Sequence, residues 1–181
     1  VSETFGNFQW DALLLETSLP AALWLPWKAR PDWGSETPAQ RIGRWLLWWL
    51  CFRLMIESGV VKLTWNDSTW LDFSALDYHF ETQPLPLWTA WYAHQLPRWL
   101  LRVSCWIMYF VEIATPALLF APPRWRFLRH TAAVCQIALQ AGIAATGNYT
   151  YFNLLTAALC VPFLDDSLRI FRRRSEEHTS E

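Results

Sequence analysis

The sequence holds no surplus of either charge. Its 15 Lys and Arg stand against 16 Asp and Glu in 181 residues, a formal net charge of -1. Charged residues make up only 17%, where an ordinary soluble domain has roughly 25%. Nothing in that balance collects phosphate, which excludes a basic nucleic-acid binder and any nucleic-acid partner. Cysteine is scarce too: Cys51, Cys105, Cys135 and Cys160 lie far apart and form no Cys-x-x-Cys pair. That spacing excludes a small disulfide scaffold and the dithiol of a thiol–disulfide membrane enzyme, and leaves buried free thiols as the expectation. The chain also lacks a Gly-rich phosphate loop, a His-Glu-x-x-His and a Gly-x-Ser-x-Gly, so the reading leans away from an enzyme and expects no catalytic set, metal or cofactor.

What the chain has in quantity is apolar and aromatic surface. Hydrophobic residues reach 53%, and there are 14 Trp. A disordered chain is excluded by that load. Mean hydropathy is only +0.09, but Trp, Tyr and Pro lower it while suiting membrane interfaces. Residues 131–164 contain no Asp, Glu, Lys or Arg. A bilayer crossing needs roughly 20 apolar residues, so this run reads as two short spans turned at Gly147-Asn148. The fold class is therefore all-α, a multi-pass transmembrane bundle of about five spans. Span A is 10–27, B is 42–63, C is 99–121 and ends at Pro122-Pro123, D is 127–146, and E is 149–164. No internal repeat and no signal peptide is apparent.

The chain opens on Val1, and its last eight residues, Arg174 to Glu181, look like a translated sequencing adapter. The domain is therefore taken as 1–173, a fragment. Without Arg174, Glu176, Glu177 and Glu181, the balance of 15 basic against 16 acidic becomes 14 against 13.

Loop charge gives an orientation. Lys28, Arg30, Arg41 and Arg44 flank the A–B loop, Arg124, Arg126 and Arg129 the C–D loop, and Arg169, Arg172 and Arg173 follow E. The B–C connection, 64–96, has no Lys or Arg and carries Asp67, Asp72, Asp77 and Glu81. By the positive-inside rule that connection and the D–E turn face outward, to a lumen or periplasm. Trp24, Trp27, Trp45, Trp48, Trp49, Trp65, Trp70, Trp88, Trp91, Trp99 and Trp125 fall near span ends, where indoles suit the interface. Within the connection, 87–99 is expected as an interfacial helix or a docking surface. Asn66 and Asn148 head formal glycosylation acceptors on the outward side.

Polar groups inside spans are costly unless paired. The candidate network is Asp11, Glu16, Arg53, Glu57, Glu112, Gln136, Gln140, Asn148 and Asn153. Arg53 and Glu57 share a face at i,i+4, and Arg53 is expected to pair with Glu57 or an acid of span A. A register-fixing network is preferred over a proton or substrate path. Ala138, Gly142 and Thr146 form a small-residue stripe, expected to let helices pack closely. The candidate outward segment is Asp77, Tyr78, His79, Glu81, Thr82, Gln83 and Pro84. An extended chain would set Asp77, His79 and Glu81 on one side as metal ligands, but a hydrogen-bonded structural loop is preferred there.

Several stretches together resemble the lipase maturation factor family. They are Phe8-Gln9-Trp10-Asp11 into Leu13-Leu14-Leu15-Glu16-Thr17, Phe52-Arg53-Leu54-Met55 with Ser58 to Leu63, Ala75 to Pro86, Gly147-Asn148-Tyr149, and Phe152 to Thr156 with Leu164-Asp165-Asp166. The resemblance covers essentially all of 5–166. It implies a multi-pass membrane protein, in animals of the endoplasmic reticulum, that assists folding and assembly of secreted lipases. Its partners would be membrane lipid and a lipase-like client, and a bacterial relative would sit in the inner membrane. No catalytic residues transfer. A membrane enzyme, loosely similar to carboxylase-like and redox membrane domains, and an ion-coupled transporter using Arg53, Glu57 and Glu112 are the alternatives.

Overall fold

The computed structural model describes residues 9–25, 36–83 and 85–164. The expectations placed on Pro84, Trp27, Lys28, Arg30, Asp165, Asp166, Arg169, Arg172, Arg173 and the tail 174–181 lie outside those residues. Among the described residues the structure is helical throughout, with no strand.

Helix α1 (Gln9–Trp24) and helix α2 (Pro38–Thr64) form the first pair. Helix α2 begins where Thr37 makes a capping box with Gln40 and Pro38 supplies the first turn. The Gln40 amide donates to Thr37 Oγ1 at 3.3 Å and the Thr37 amide to Gln40 Oε1 at 2.9 Å, satisfying donors that a helix start leaves open. The pair packs closely because Gly43 has no side chain. A Cβ there would stand 2.7 Å from the Pro20 carbonyl oxygen and 2.6 Å from the Trp24 amide nitrogen.

Three short helices fill the connection that follows: α3 (Ser68–Leu71), α4 (Ala75–Thr82) and α5 (Trp88–His94). The expected 87–99 helix is thus shorter, ending before Pro97, whose ring cannot continue a helix. A small cluster of Phe80, Ala90 and Leu101 packs α4 and α5 onto helix α6 (Arg98–Tyr109).

Helix α6 runs on through a π-helical turn, Phe110–Ala114, into α7 (Thr115–Leu118). Pro116 has no amide hydrogen to give back to the preceding turn, and the Thr115 hydroxyl and Gln136 amide answer the freed Val111 carbonyl, each at 2.8 Å. The whole stretch Arg98–Leu118 is long and apolar enough to cross a bilayer, and Phe152–Phe163 is apolar but shorter. Helices α8 (Arg126–Thr146) and α9 (Phe152–Cys160) complete the bundle. The main core joins α1, α2, α7, α8 and α9 through Leu13, Leu47, Leu50, Leu118, Ala132 and Leu159, with Trp48 stacked on Phe163 at 4.9 Å.

Cys51, Cys105 and Cys160 are buried and Cys135 half-buried, all as free thiols. Cys51 and Cys160 meet across α2 and α9 at 3.8 Å between sulfurs.

Candidate functional site: a cavity with a buried ion pair

Helix α2 carries Ser58 and Lys62 one turn apart, near its C-terminal end. The Lys62 ammonium donates to the Ser58 carbonyl at 2.9 Å and to both Glu112 carboxylate oxygens, at 2.9 and 2.6 Å. Glu112 lies in the π turn and is only 4% exposed. Burying one such charge alone costs several kcal/mol, so each requires the other. Lys62 also stands 5.5 Å over the Trp70 ring. Glu112 is one of the polar candidates within the expected spans, and Lys62 is not among them. The available signal was a cation near the end of α2 with no acid three or four residues away on its own helix.

Around this pair opens a cavity of about 730 Å³, walled by α2, α6, the π turn, α8 and α9 and roofed by α4 and α5. Gln140, Asn153, Thr156 and Ser58 line it along with Lys62 and Glu112; most of the remaining lining is apolar. Gln140 is 5% exposed, and its side-chain carbonyl oxygen has no hydrogen-bond partner. Gln136, one turn earlier, is fully buried and donates to the Val111 carbonyl of the π turn and to the Thr115 hydroxyl oxygen at the start of α7, each at 2.8 Å.

The stripe Ala138, Gly142 and Thr146 does something other than expected. All three line the cavity, and a Cβ on Gly142 would meet nothing within 4 Å. The small side chains hold space open rather than drawing a second helix close. Gly59 is the residue that permits close packing here, since a Cβ would sit 2.5 Å from Ile113.

The segment at Asp77–Gln83 is helix α4 with a short extended end, not a loop and not an extended ligand strip. On a helix, residues two apart point roughly 200° apart, so Asp77, His79 and Glu81 cannot converge on one ion. No group of three His, Cys, Asp or Glu suited to a metal occurs among the described residues. Instead each side chain goes its own way. His79 Nε2 and the Tyr149 hydroxyl lie 3.2 Å apart with parallel rings, both on the cavity wall. Glu81 pairs with His94 of α5 at 2.7 Å. Gln83 donates to the Thr146 carbonyl at 3.0 Å, and Thr89 donates to the Ala145 carbonyl. Tyr78 is exposed, Thr82 bonds its own helix at Tyr78, and one Asp77 carboxylate oxygen is buried with no partner. The connection between α2 and α6 is thus clamped onto the end of α8 and the turn that follows it. Burial holds the His79 imidazole below its ordinary pKa, with Lys62 adding repulsion.

The rest of the proposed network separates from the cavity. Arg53 contacts Glu16 of α1 and lies 3.8 Å from Glu57, so both expected partners are used. These three are 40%, 47% and 67% exposed and sit on an outer face of the described residues, not in an interior path. Asp11 accepts from the Tyr151 hydroxyl at 2.6 Å, fastening α1 to the start of α9. Asn148 is exposed and accepts only from the nearby Thr150 amide at 3.4 Å, so it leaves the network.

These features define an all-helical domain built around a largely apolar cavity with a few polar groups on its wall, one of them an ion pair. Residues 1–170 match the family model described as the lipase maturation factor transmembrane domain, and the chain belongs to the lipase maturation factor family. It is 45% identical over 182 residues to lipase maturation factor 2 of Xenopus tropicalis, covering 98% of this chain and 25% of that protein. Lipase maturation factor 2 of Homo sapiens is 45% identical over 92% of this chain and 24% of its own length. Lipase maturation factor 1 of Mus musculus is 34% identical over 92% of this chain and 28% of its own length. The chain thus spans about a quarter of the curated relatives it matches. No solved structure matches it.

Proposed function

We infer that the chain is part of a membrane-integral maturation factor that assists folding of a secreted, lipase-like client. In a eukaryote it would lie in the endoplasmic reticulum membrane. The five-span arrangement, with 64–96 facing the lumen, belongs to this reading. The observation that carries it is the aromatic surface of the connection. Trp65, Trp88, Trp91 and Tyr92 are 60–76% exposed, although α4 and α5 beneath them are held firmly to the α8–α9 turn. Exposed rings on a rigid support suit transient contact with a client's unburied apolar surface. The relatives' shared name supports the choice of a lipase as client.

The test replaces Trp88, Trp91 and Tyr92 together by Ser in cells that depend on the protein for active lipase. Secreted lipase activity is expected to fall severalfold while membrane abundance of the protein holds. A second variant scrambles Asp77–Gln83 and is expected to do the same. Unchanged lipase activity in both variants would remove this surface from client contact.

A further inference from the structure

An open-sided cavity of about 730 Å³ falls within the size of small-molecule sites, about 300–1,000 Å³. Its wall sorts hydrogen-bonding groups in a particular way. The hydroxyl protons of Ser58, Ser104, Thr146 and Thr156 are all given to carbonyls of their own helices, at 2.8–3.0 Å. The Lys62 protons go to the Ser58 carbonyl and Glu112. What these groups present to the cavity is acceptor capacity, to which Gln140 adds a buried carbonyl oxygen with no partner. Against these acceptors stand a few N–H donors, the amides of Gln140 and Asn153, the Trp70 indole and the His79 imidazole. Charge is also balanced. Lys62 and Glu112 cancel, and burial disfavours the charged form of His79.

We propose that this cavity binds a single-chain lipid with an uncharged, hydroxyl-bearing head, of the monoacylglycerol kind, taken up from the surrounding membrane. The chain of such a lipid lies against Leu54, Met55, Met108 and Leu139. Its hydroxyls donate to the acceptor-rich wall, and its ester carbonyl accepts from an amide. A fatty-acid carboxylate would bring an unpaired charge into a neutral site. A quinone has no proton to donate and leaves the acceptors unmet. The site goes beyond client contact and stands whether or not the client is a lipase.

The experiment measures equilibrium binding of radiolabelled monooleoylglycerol to the full chain in detergent micelles, against oleate and ubiquinone at the same concentration. Saturable, equimolar binding of monooleoylglycerol is expected, with weaker binding of the other two. Gly142→Trp projects a ring into open space and is expected to abolish saturable binding, while Gly142→Ala retains it. Ala138→Phe, on the same wall, provides an independent block should the Trp variant fail to fold. Gln140→Leu is expected to bind about tenfold more weakly, as for one lost hydrogen bond to a buried group. Three outcomes each overturn the proposal: no saturable binding, unchanged binding in a folded Gly142→Trp or Ala138→Phe, or preference for oleate or the quinone. A cavity occupied by another part of the protein gives the first of these. Loss of lipase maturation with lipid binding intact would bear on the client surface alone.

Discussion

Lys62 and Glu112 show how two charges persist in an apolar interior. Their side chains are 19% and 5% exposed and 2.6 Å apart. Removing one partner strands the other, so Glu112→Gln or Lys62→Met alone should lower stability by about 3–5 kcal/mol. The double variant Lys62→Met with Glu112→Leu should recover most of that loss, because no unpaired charge remains. Thermal unfolding of the purified protein in one detergent compares all three. His79 supplies a pH test. Its folded pKa lies below the ordinary value because burial disfavours the cation and Lys62 repels it. The unfolded chain therefore binds the proton first as pH falls. Stability is unaffected well above the ordinary imidazole pKa of about 6.5 and declines below it, down to the folded pKa. His79→Gln should flatten this decline in a pH series of unfolding temperatures. Glu112 was legible as a candidate because an acid within an apolar run is conspicuous. Lys62 was not, because its partner lies fifty positions away and only folding brings them together.

At the scale of elements, close approach is set by two glycines. Gly43→Val should part α1 from α2, since even a Cβ meets α1 backbone there at 2.6–2.7 Å, and backbone cannot yield as a flexible side chain does. A loss of about 1–3 kcal/mol is the usual scale of such overpacking. Protease sensitivity of α1 against that of α2 would show it. Helix positions were largely legible: the expected spans 42–63, 99–121 and 127–146 lie close to α2, the α6–α7 stretch and α8. Apolar runs of that length have few other ways to satisfy their backbone. Helix α4 was not legible. The alternation of Asp77, His79 and Glu81 imitates a strand's period, while Leu76 and Phe80 supply the helical face that packing selects. The π turn escaped notice too, although Pro116 inside span C was its signal.

Across the whole molecule, the proposed topology has the connection 64–96 and the α8–α9 turn share one side, and the bonds from His79, Gln83 and Thr89 run to residues 145–149. The proposed orientation predicts the outcome of single-cysteine labelling in sealed vesicles, in a background where Cys51, Cys105, Cys135 and Cys160 are Ala. A cysteine at Leu85 should react only with reagent on the outward side, and one at Arg124 only from the opposite side. By itself the sequence determined the helical class, the family and the division between basic and acidic connections, because these follow from local apolar runs and from charge counted along the chain. The tertiary structure alone decided which polar groups share a space. It turned Arg53, Glu16 and Glu57 onto an outer face and brought Lys62, Glu112, His79 and Tyr149 around one cavity. It also converted a stripe of small residues from a contact into an opening. Side-chain direction depends on how helices distant in sequence rotate against one another, and a one-dimensional pattern records only which residues share a face.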